Sequence, residues 1–497
     1  MKVVVVGSGF GGLAVALRLL AKGHSVKILE ARDKVGGRAY QLKENGFTFD
    51  MGPSLVTAPP LFDELFAMFG RKKEEYFSLV PLDPFYKIYF EKQKGEFIAM
   101  DYSGDPEKMA KEISKFEENA QEKYKKYFES TRPIFEASYN QYGGKAFLKF
   151  GEFVRIFPEM LRLNALRTMS AYVKSYFKSE YVQRALSFHP LYIGTSPNVA
   201  PAALGFIPWL EREQGVWFAK GGMYEIVKAL AKLFVENGGE IFCNADVTKI
   251  VTENNPDNKK ATIKGVVTKD REHEADVLVS NADVLRTYEL VDNKRLENKK
   301  NKLRKKSYSM SLFMLYLGLN KQYHEKLAHH TLILGKEYEK LLEEIFEKKV
   351  SPTSLSMYLH IPTITDAEMA PPGCESMYIL VPVPNSSGTF KWSAEKETHL
   401  RDWVVDYLEN EFGLEGFREA IVYEKHMTPV NFEQDLQSTY GAAFATQLTL
   451  QQSVYFREHN RSQEIENLFF VGAGTHPGPG VPGVLLTAKA TAELIEK

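Results

Sequence analysis

Residues 3–6 are four consecutive valines, the continuous apolar run that a strand buried on both faces requires. From Leu13 to Leu20 the apolar positions recur at helical spacing, and Ser25–Leu29 is again strand-like. The opening pattern therefore predicts strand, turn, helix, strand, a βαβ unit at the head of a parallel sheet. Asp105 to Tyr181 is charge-rich with helical period and reads as largely helical. Gly238–Val247 follows an apolar-periodic helix and predicts a further strand of the first sheet. Ser307–Leu319 and Ser354–Pro384 alternate in strand fashion and predict a second sheet, facing the ligand of the first. Leu296–Lys306 reads as a strongly charged helix or linker, most simply a solvated face. Leu468–Val471 predicts a last strand, followed by a Gly/Pro loop from Gly472 to Gly483 and a helix from Gly483 to Glu493.

The turn between the first strand and helix is Gly7-Ser8-Gly9-Phe10-Gly11-Gly12, which places Gly7, Gly9 and Gly12 in the G-x-G-x-x-G spacing. Gly7 permits the tight turn, Gly9 lets a pyrophosphate approach the backbone, and Gly12 lets helix and strand pack closely. The helix N-terminus then offers unpaired N–H groups and a positive dipole end to phosphate. Glu30 ends the second strand about 20 residues beyond the glycines, where a carboxylate accepts ribose hydroxyls. The fold class is thus α/β with a Rossmann-like dinucleotide layer. That layer is discontinuous, drawn from residues 1–95, 205–290 and 455–497. Residues 96–204 form a helical region and 291–454 a substrate-binding domain of mixed sheet plus helices.

Composition narrows the function. At 497 residues, 44% hydrophobic and 26% charged, the chain is an ordinary globular one. A net charge of -1 provides no global field for nucleic acid, so no nucleic-acid partner is expected. Two cysteines are too few for a disulfide framework or a cysteine metal site; a reducing interior and no metal are expected. The N-terminus lacks the pattern of a signal peptide. Ala185–Leu210 and Asn467–Ala488 contain no Asp, Glu, Lys or Arg, yet their prolines rule out a spanning helix. Such charge-free walls suit an apolar ligand.

Arg32-Asp33-Lys34-Val35-Gly36-Gly37-Arg38 resembles the G-G-R extension of the large FAD-containing amine oxidase and desaturase superfamily. More specific strings run through the chain: GFTFDMGPS (Gly46 to Ser54), SFHPLYIGTSP (Ser187 to Pro197), LEREQGVWFAKGG (Leu210 to Gly222), VSNAD (Val279 to Asp283) and VGAGTHPGPGVPG (Val471 to Gly483). Together they resemble the bacterial-type phytoene/carotenoid desaturases, nearly end to end. The resemblance implies one FAD, held by Gly7, Gly9, Gly12, Glu30, Arg32, Gly37 and Arg38, with Val247 at the adenine and Gly472, Gly474 and Val481 at the flavin. Amine oxidases carry a Glu where this chain has Ala473, which argues against an amine oxidase proper.

The implied activity is desaturation of phytoene to neurosporene or lycopene. A C30 diapophytoene substrate, or a flavin-dependent carotenoid isomerase or oxidase, is the alternative on the same scaffold. Making C=C from CH2–CH2 removes a hydride and a proton; no side chain accepts a hydride, and a flavin does. The substrate has no polar handle, so it must be held by apolar area, with Phe188, Leu191, Tyr192, Ile193, Phe206, Ile207 and Trp209 as candidate walls or ordinary core. For the proton, the resemblance points to Glu152 and Arg155, one helix face at i, i+3. Asp50 is expected to anchor a turn beside the flavin; with His189 it is next in line as the base, and His476 lies in another shared string. Lys145–Phe188 carries eight Lys or Arg against three Asp or Glu, interleaved with aromatics, and is expected to lie in a bilayer interface. The expected setting is peripheral, on the cytoplasmic face of the cell membrane, with a polyene hydrocarbon from the bilayer as substrate and a quinone or oxygen as electron acceptor.

Overall fold

The computed structural model describes residues 1–254 and 260–495. Residues 255–259 of the middle segment and 496–497 of the last lie outside the described residues. A five-stranded parallel sheet has the order Leu468–Phe470, Val277–Ser280, Lys2–Val6, Ser25–Leu29, Glu240–Phe242. Its strands come from three distant stretches of chain, and the valine run sits at its centre.

Strand alternation assigns the two faces of this sheet. Val3 and Val5 pack among the helices Phe10–Ala21, Met223–Glu236 and Val481–Leu494. Val4 and Val6 face the opposite way, into a cluster with Ile250, Ile263 and Val266. Those residues belong to an antiparallel three-stranded sheet of Val247–Asn254, Ala261–Thr268 and Glu272–Glu274. Covering both faces is what lets a central strand be wholly apolar. The expected single strand over Gly238–Val247 is broken: Glu240–Phe242 stays in the parallel sheet and Val247 opens the antiparallel one. Asn244 lies between at φ 54°, a left-handed conformation that Asn tolerates and a strand does not.

A second, seven-stranded mixed sheet has the order Ile421–Met427, Ser311–Leu319, Glu375–Val383, Met357–His360, His330–Leu334, Tyr86–Gln93, Glu96–Tyr102. Its helical cover includes Ala394–Asp406, whose Leu400, Val404 and Val405 pack with Phe313 and Leu315 of the strand Ser311–Leu319. The hairpin Tyr86–Tyr102 belongs here: Thr331↔Lys87 to Leu334↔Phe90 pair in parallel. The boundary expected at residue 95 therefore splits a hairpin, and the dinucleotide layer ends before Tyr86. Alternation within the hairpin looks the same in either sheet, so only the long-range partner decides its place.

Between residues 105 and 187 the chain is helical, with Pro106–Ser114, Ala120–Phe135, Phe150–Arg162, Met169–Lys174 and Glu180–Ser187. None of the described helices is long and apolar enough to cross a membrane.

Candidate functional site

The Gly-rich turn is built by close approach. Gly7 has φ 89°, and a Cβ on Gly12 would stand 2.1 Å from the Gly7 carbonyl oxygen. On Gly37, itself at φ 56°, it would stand 3.2 Å from Gly9 Cα, and on Gly52 it would stand 2.1 Å from the Arg38 carbonyl oxygen. Gly11 faces Gly472 of the C-terminal loop, where a Cβ would lie 3.3 Å from backbone. Four distant segments thus converge on one backbone-lined cradle.

Glu30 is buried at the cradle's edge. Its carboxylate accepts from Ser8 N (2.9 Å), Ser8 Oγ (2.5 Å) and Arg32 N (3.0 Å). Arg32 stacks its guanidinium 3.8 Å over the Tyr40 ring and donates to the Gly37 carbonyl at 3.3 Å. Arg38 donates to Ser438 Oγ at 2.6 Å, while its Nε, buried, has no partner. Val247, Gly472 and Val481 join Gly7, Gly9, Glu30, Arg32, Gly37 and Arg38 in lining one cavity. Gly12 acts behind the turn, by letting the helix close on it, and Gly474 packs on Val284, 2.9 Å from where its Cβ would be. Helix Val481–Leu494 starts without a side-chain cap, and Val481, Pro482, Gly483 and Val484 of its first turn line the cavity, which puts the positive end of the helix dipole beside it. Buried Arg457 holds the loop in place by donating to the carbonyls of Thr446, Ala473 and Thr475 at 3.2, 2.5 and 3.0 Å.

The same cavity continues into an apolar wall that includes Phe188, Leu191, Tyr192, Ile193, Phe206 and Ile207. Trp209 is not in that wall; it stacks on Phe128 with centroids 4.3 Å apart. A polar strip interrupts the apolar lining: Ser54, Tyr358, Tyr378 and Glu211. The Glu211 carboxylate accepts from Tyr86 Oη at 2.6 Å and faces His189 Nε2 at 3.1 Å. His476 is buried against Phe147, and burial pulls it down to about 4, so it is neutral.

Glu152 and Arg155 are not brought into this lining. Glu152 is the third residue of helix Phe150–Arg162, and its Oε2 accepts from the backbone N–H of Leu148 and Lys149, both at 2.9 Å. That is a helix cap, which explains an acid at this position without chemistry. Arg155 is exposed on the same helix. Asp50 is also outside the cavity lining. Its Oδ2 accepts from Met223 N at 2.9 Å, tying a strand of the first segment to the start of helix Met223–Glu236, and its Oδ1 has no partner.

Phe150, Val154, Phe157 and Leu161 form an exposed apolar stripe on helix Phe150–Arg162, with Phe150 53% and Leu161 54% accessible. Phe153 packs on Phe456, itself exposed, and Phe150 on Tyr455. Phe147, three residues before this helix begins, is buried against His476, whose neighbour Pro477 lines the cavity.

The family model of the flavin containing amine oxidoreductases matches residues 10–496. The chain belongs to that family. FAD is the cofactor of this flavoprotein, and the glycine cradle, the Glu30 carboxylate and the half-partnered Arg38 suit its pyrophosphate and ribose. A phytoene desaturase (lycopene-forming) of Pseudescherichia vulneris is 40% identical over 497 residues, covering 99% of both chains. A phytoene desaturase (neurosporene-forming) of Rhodobacter capsulatus is 35% identical, covering 99% of this chain and 94% of that one. Among solved structures, putrescine oxidase bound to putrescine superposes with a TM-score of 0.65 at 14% identity, covering 100% of this chain and 99% of that one. That likeness is one of fold.

Sequence reading did not find the polar strip or the group behind it, His329, His330 and His360, whose ring nitrogens lie within 4.8 Å of one another. The available signal was a His-His pair opening an apolar strand, with a third His opposite His330 in register.

Two outcomes follow for the flavoprotein. Gly12→Ala places a methyl carbon 2.1 Å from the Gly7 carbonyl oxygen. Flavin absorbance after reconstitution with FAD should show no bound cofactor in that variant; stoichiometric flavin would show that the turn does not carry it. Burial pushes Asp50 from its ordinary 3.8 up to about 7, against the N–H bonds of Met223 and Tyr224. Across that window the folded protein keeps a proton that the unfolded chain has released, so this group's stabilisation is full below 3.8 and lost as pH rises through 7. Asp50→Asn should therefore lose less Tm than the parent between pH 5 and pH 8, as measured by scanning calorimetry. Equal losses in both proteins would show that Asp50 ionises normally.

Proposed function

We propose that the protein is an FAD-dependent desaturase that converts phytoene to neurosporene or lycopene in carotenoid biosynthesis, acting at a lipid surface. The observation that carries the reading is the single cavity whose lining runs from the dinucleotide cradle into the charge-poor wall around Phe188, Leu191 and Phe206. A hydrocarbon gains about 0.8 kcal/mol for each CH2 it buries, so a long apolar wall binds it without a polar handle. When bound, FAD supplies the hydride acceptor that no side chain provides. The cradle residues hold the cofactor, the helix N-terminus at Val481 favours negative charge beside it, and the apolar wall excludes water from the reacting carbons. Re-oxidation falls to a quinone or to oxygen, acceptors that reach a lipid-side site without a nicotinamide fold.

The exposed stripe on helix Phe150–Arg162 supports a bilayer as the source of substrate. Lys149, Arg155 and Arg162 on the same helix would meet anionic headgroups while Phe150, Val154, Phe157 and Leu161 enter the acyl boundary. The enzyme would then be a peripheral protein of the cytoplasmic face of the cell membrane.

The decisive assay offers phytoene in liposomes to the FAD-loaded protein, with 4,4'-diapophytoene in a parallel reaction. The expected result is a coloured extract from phytoene whose absorption bands count the new conjugated bonds. A colourless extract from phytoene together with colour from the C30 substrate would reassign the chain length; no colour from either would overturn the reading. Replacing Phe150, Val154, Phe157 and Leu161 by Ser should abolish co-sedimentation with anionic liposomes and leave FAD retention intact. Unchanged sedimentation would remove the stripe from the account.

A further inference from the structure

The proposed reaction leaves one proton without a destination. Each new C=C forms when one carbon gives up hydrogen with its electron pair, a hydride taken up by FAD, and the neighbouring carbon gives up a proton whose bonding pair becomes the π bond. The aliphatic and aromatic part of the cavity wall has no group to take that proton. The polar strip in that wall does have a direction.

Tyr378 Oη donates to Ser54 Oγ at 2.8 Å; Ser54 Oγ and Tyr358 Oη are 2.8 Å apart; Tyr358 Oη and His330 Nδ1 are 2.6 Å apart. If Tyr358 donates to His330, Ser54 must donate to Tyr358, and every O–H in the row then points away from the cavity and toward the imidazole. The row also lies against the cofactor cradle, because Tyr378 Oη is 3.2 Å from the Gly52 carbonyl oxygen and Gly52 packs on the Arg38 backbone. Behind His330 lie His329 and His360, with their Nε2 atoms 3.1 Å apart, and His329 Nδ1 meets Thr365 Oγ1 at 2.6 Å. One ring nitrogen from each of the three imidazoles lies within 4.8 Å of the others. Thr365 is half-buried at the outer end.

Packing alone does not account for this group. His330 Nε2 and His360 Nδ1 are buried with no partner, and each such atom costs stability that an apolar side chain of the same size would not. Burial also pulls all three imidazoles down, His329 to about 3, so each is neutral and able to accept a proton in passing but not to store it. A relay needs that behaviour. A metal site fits less well, because ligand atoms spread over as much as 4.8 Å would have to close in around one ion.

We propose that Tyr358, with Ser54 and Tyr378, takes the proton lost by the polyene and passes it to His330, from which His329 and His360 carry it toward Thr365. Tyr358 is the catalytic residue, facing the cavity; His330 is a positioning residue that acts through it. The inference rests on the desaturase reading.

The test uses the FAD-loaded full-length chain with phytoene liposomes. Tyr358→Phe keeps the ring and removes the hydroxyl. It should lower kcat about a hundredfold while KM for phytoene, FAD retention and Tm stay near parental values. His330→Gln should lower kcat comparably, and Tyr316→Phe, a buried tyrosine of the same sheet outside the row, should not. A readout independent of turnover is nitrogen NMR of histidine-labelled protein without cofactor. His330 Nδ1 should appear unprotonated and hydrogen-bonded in the parent, and its resonance should move in Tyr358→Phe. Parental kcat in Tyr358→Phe, or a protonated His330 Nδ1, overturns the relay while leaving the desaturase reading standing. A parent protein that leaves phytoene unchanged overturns both. If Tyr358→Phe does not fold, His330→Gln and the nitrogen spectrum of the parent decide.

Discussion

The site depends on backbone approaching backbone more closely than a side chain permits. Gly12 on the Gly7 carbonyl, Gly52 on the Arg38 carbonyl, Gly483 on the Gly478 carbonyl and Gly11 on Gly472 are contacts in which a Cβ would collide or crowd. Each joins segments far apart in the chain or closes a turn on itself. Together they bring the N-terminal turn, the G-G-R extension, the Gly46–Ser54 string and the C-terminal loop to one point. The parallel sheet that carries these turns is stable because both of its faces are covered, helices on Val3 and Val5, an antiparallel sheet on Val4 and Val6.

From that point the cavity changes character. The cradle is backbone, glycine and a few charged groups, suited to pyrophosphate and ribose. The remainder is aliphatic and aromatic, suited to a chain with no hydrogen-bonding group. The seven-stranded sheet supplies part of this wall, and its strands Met357–His360 and Glu375–Val383 place Tyr358 and Tyr378 where the two regions meet. Polar atoms in such a place are costly unless paired, and the Tyr378, Ser54, Tyr358, His330 row pairs them in series.

The dinucleotide cradle was legible because its chemistry is local: glycines at fixed spacing between a strand and a helix, and an acid one strand later. The strands of the parallel sheet were legible from apolar runs, although their order and the transfer of Tyr86–Tyr102 to the other sheet were not, since alternation records a face and not a partner. Glu152 misled for a related reason. An acid three residues into a helix is the residue type of a base and also of a cap, and only the N–H groups of Leu148 and Lys149 separate the two. The histidine group was hidden because cross-strand register brings together His330 and His360, which are far apart along the chain.

The central claim is that the cradle and the apolar wall serve one two-electron reaction. Its most direct measurement is an anaerobic titration of the FAD-loaded protein in liposomes with phytoene and no added electron acceptor, following flavin absorbance and extracted product together. The account predicts bleaching of the oxidised flavin, with one new double bond formed for each flavin reduced. A flavin that stays oxidised while phytoene binds, or one that bleaches without a new double bond, would contradict it.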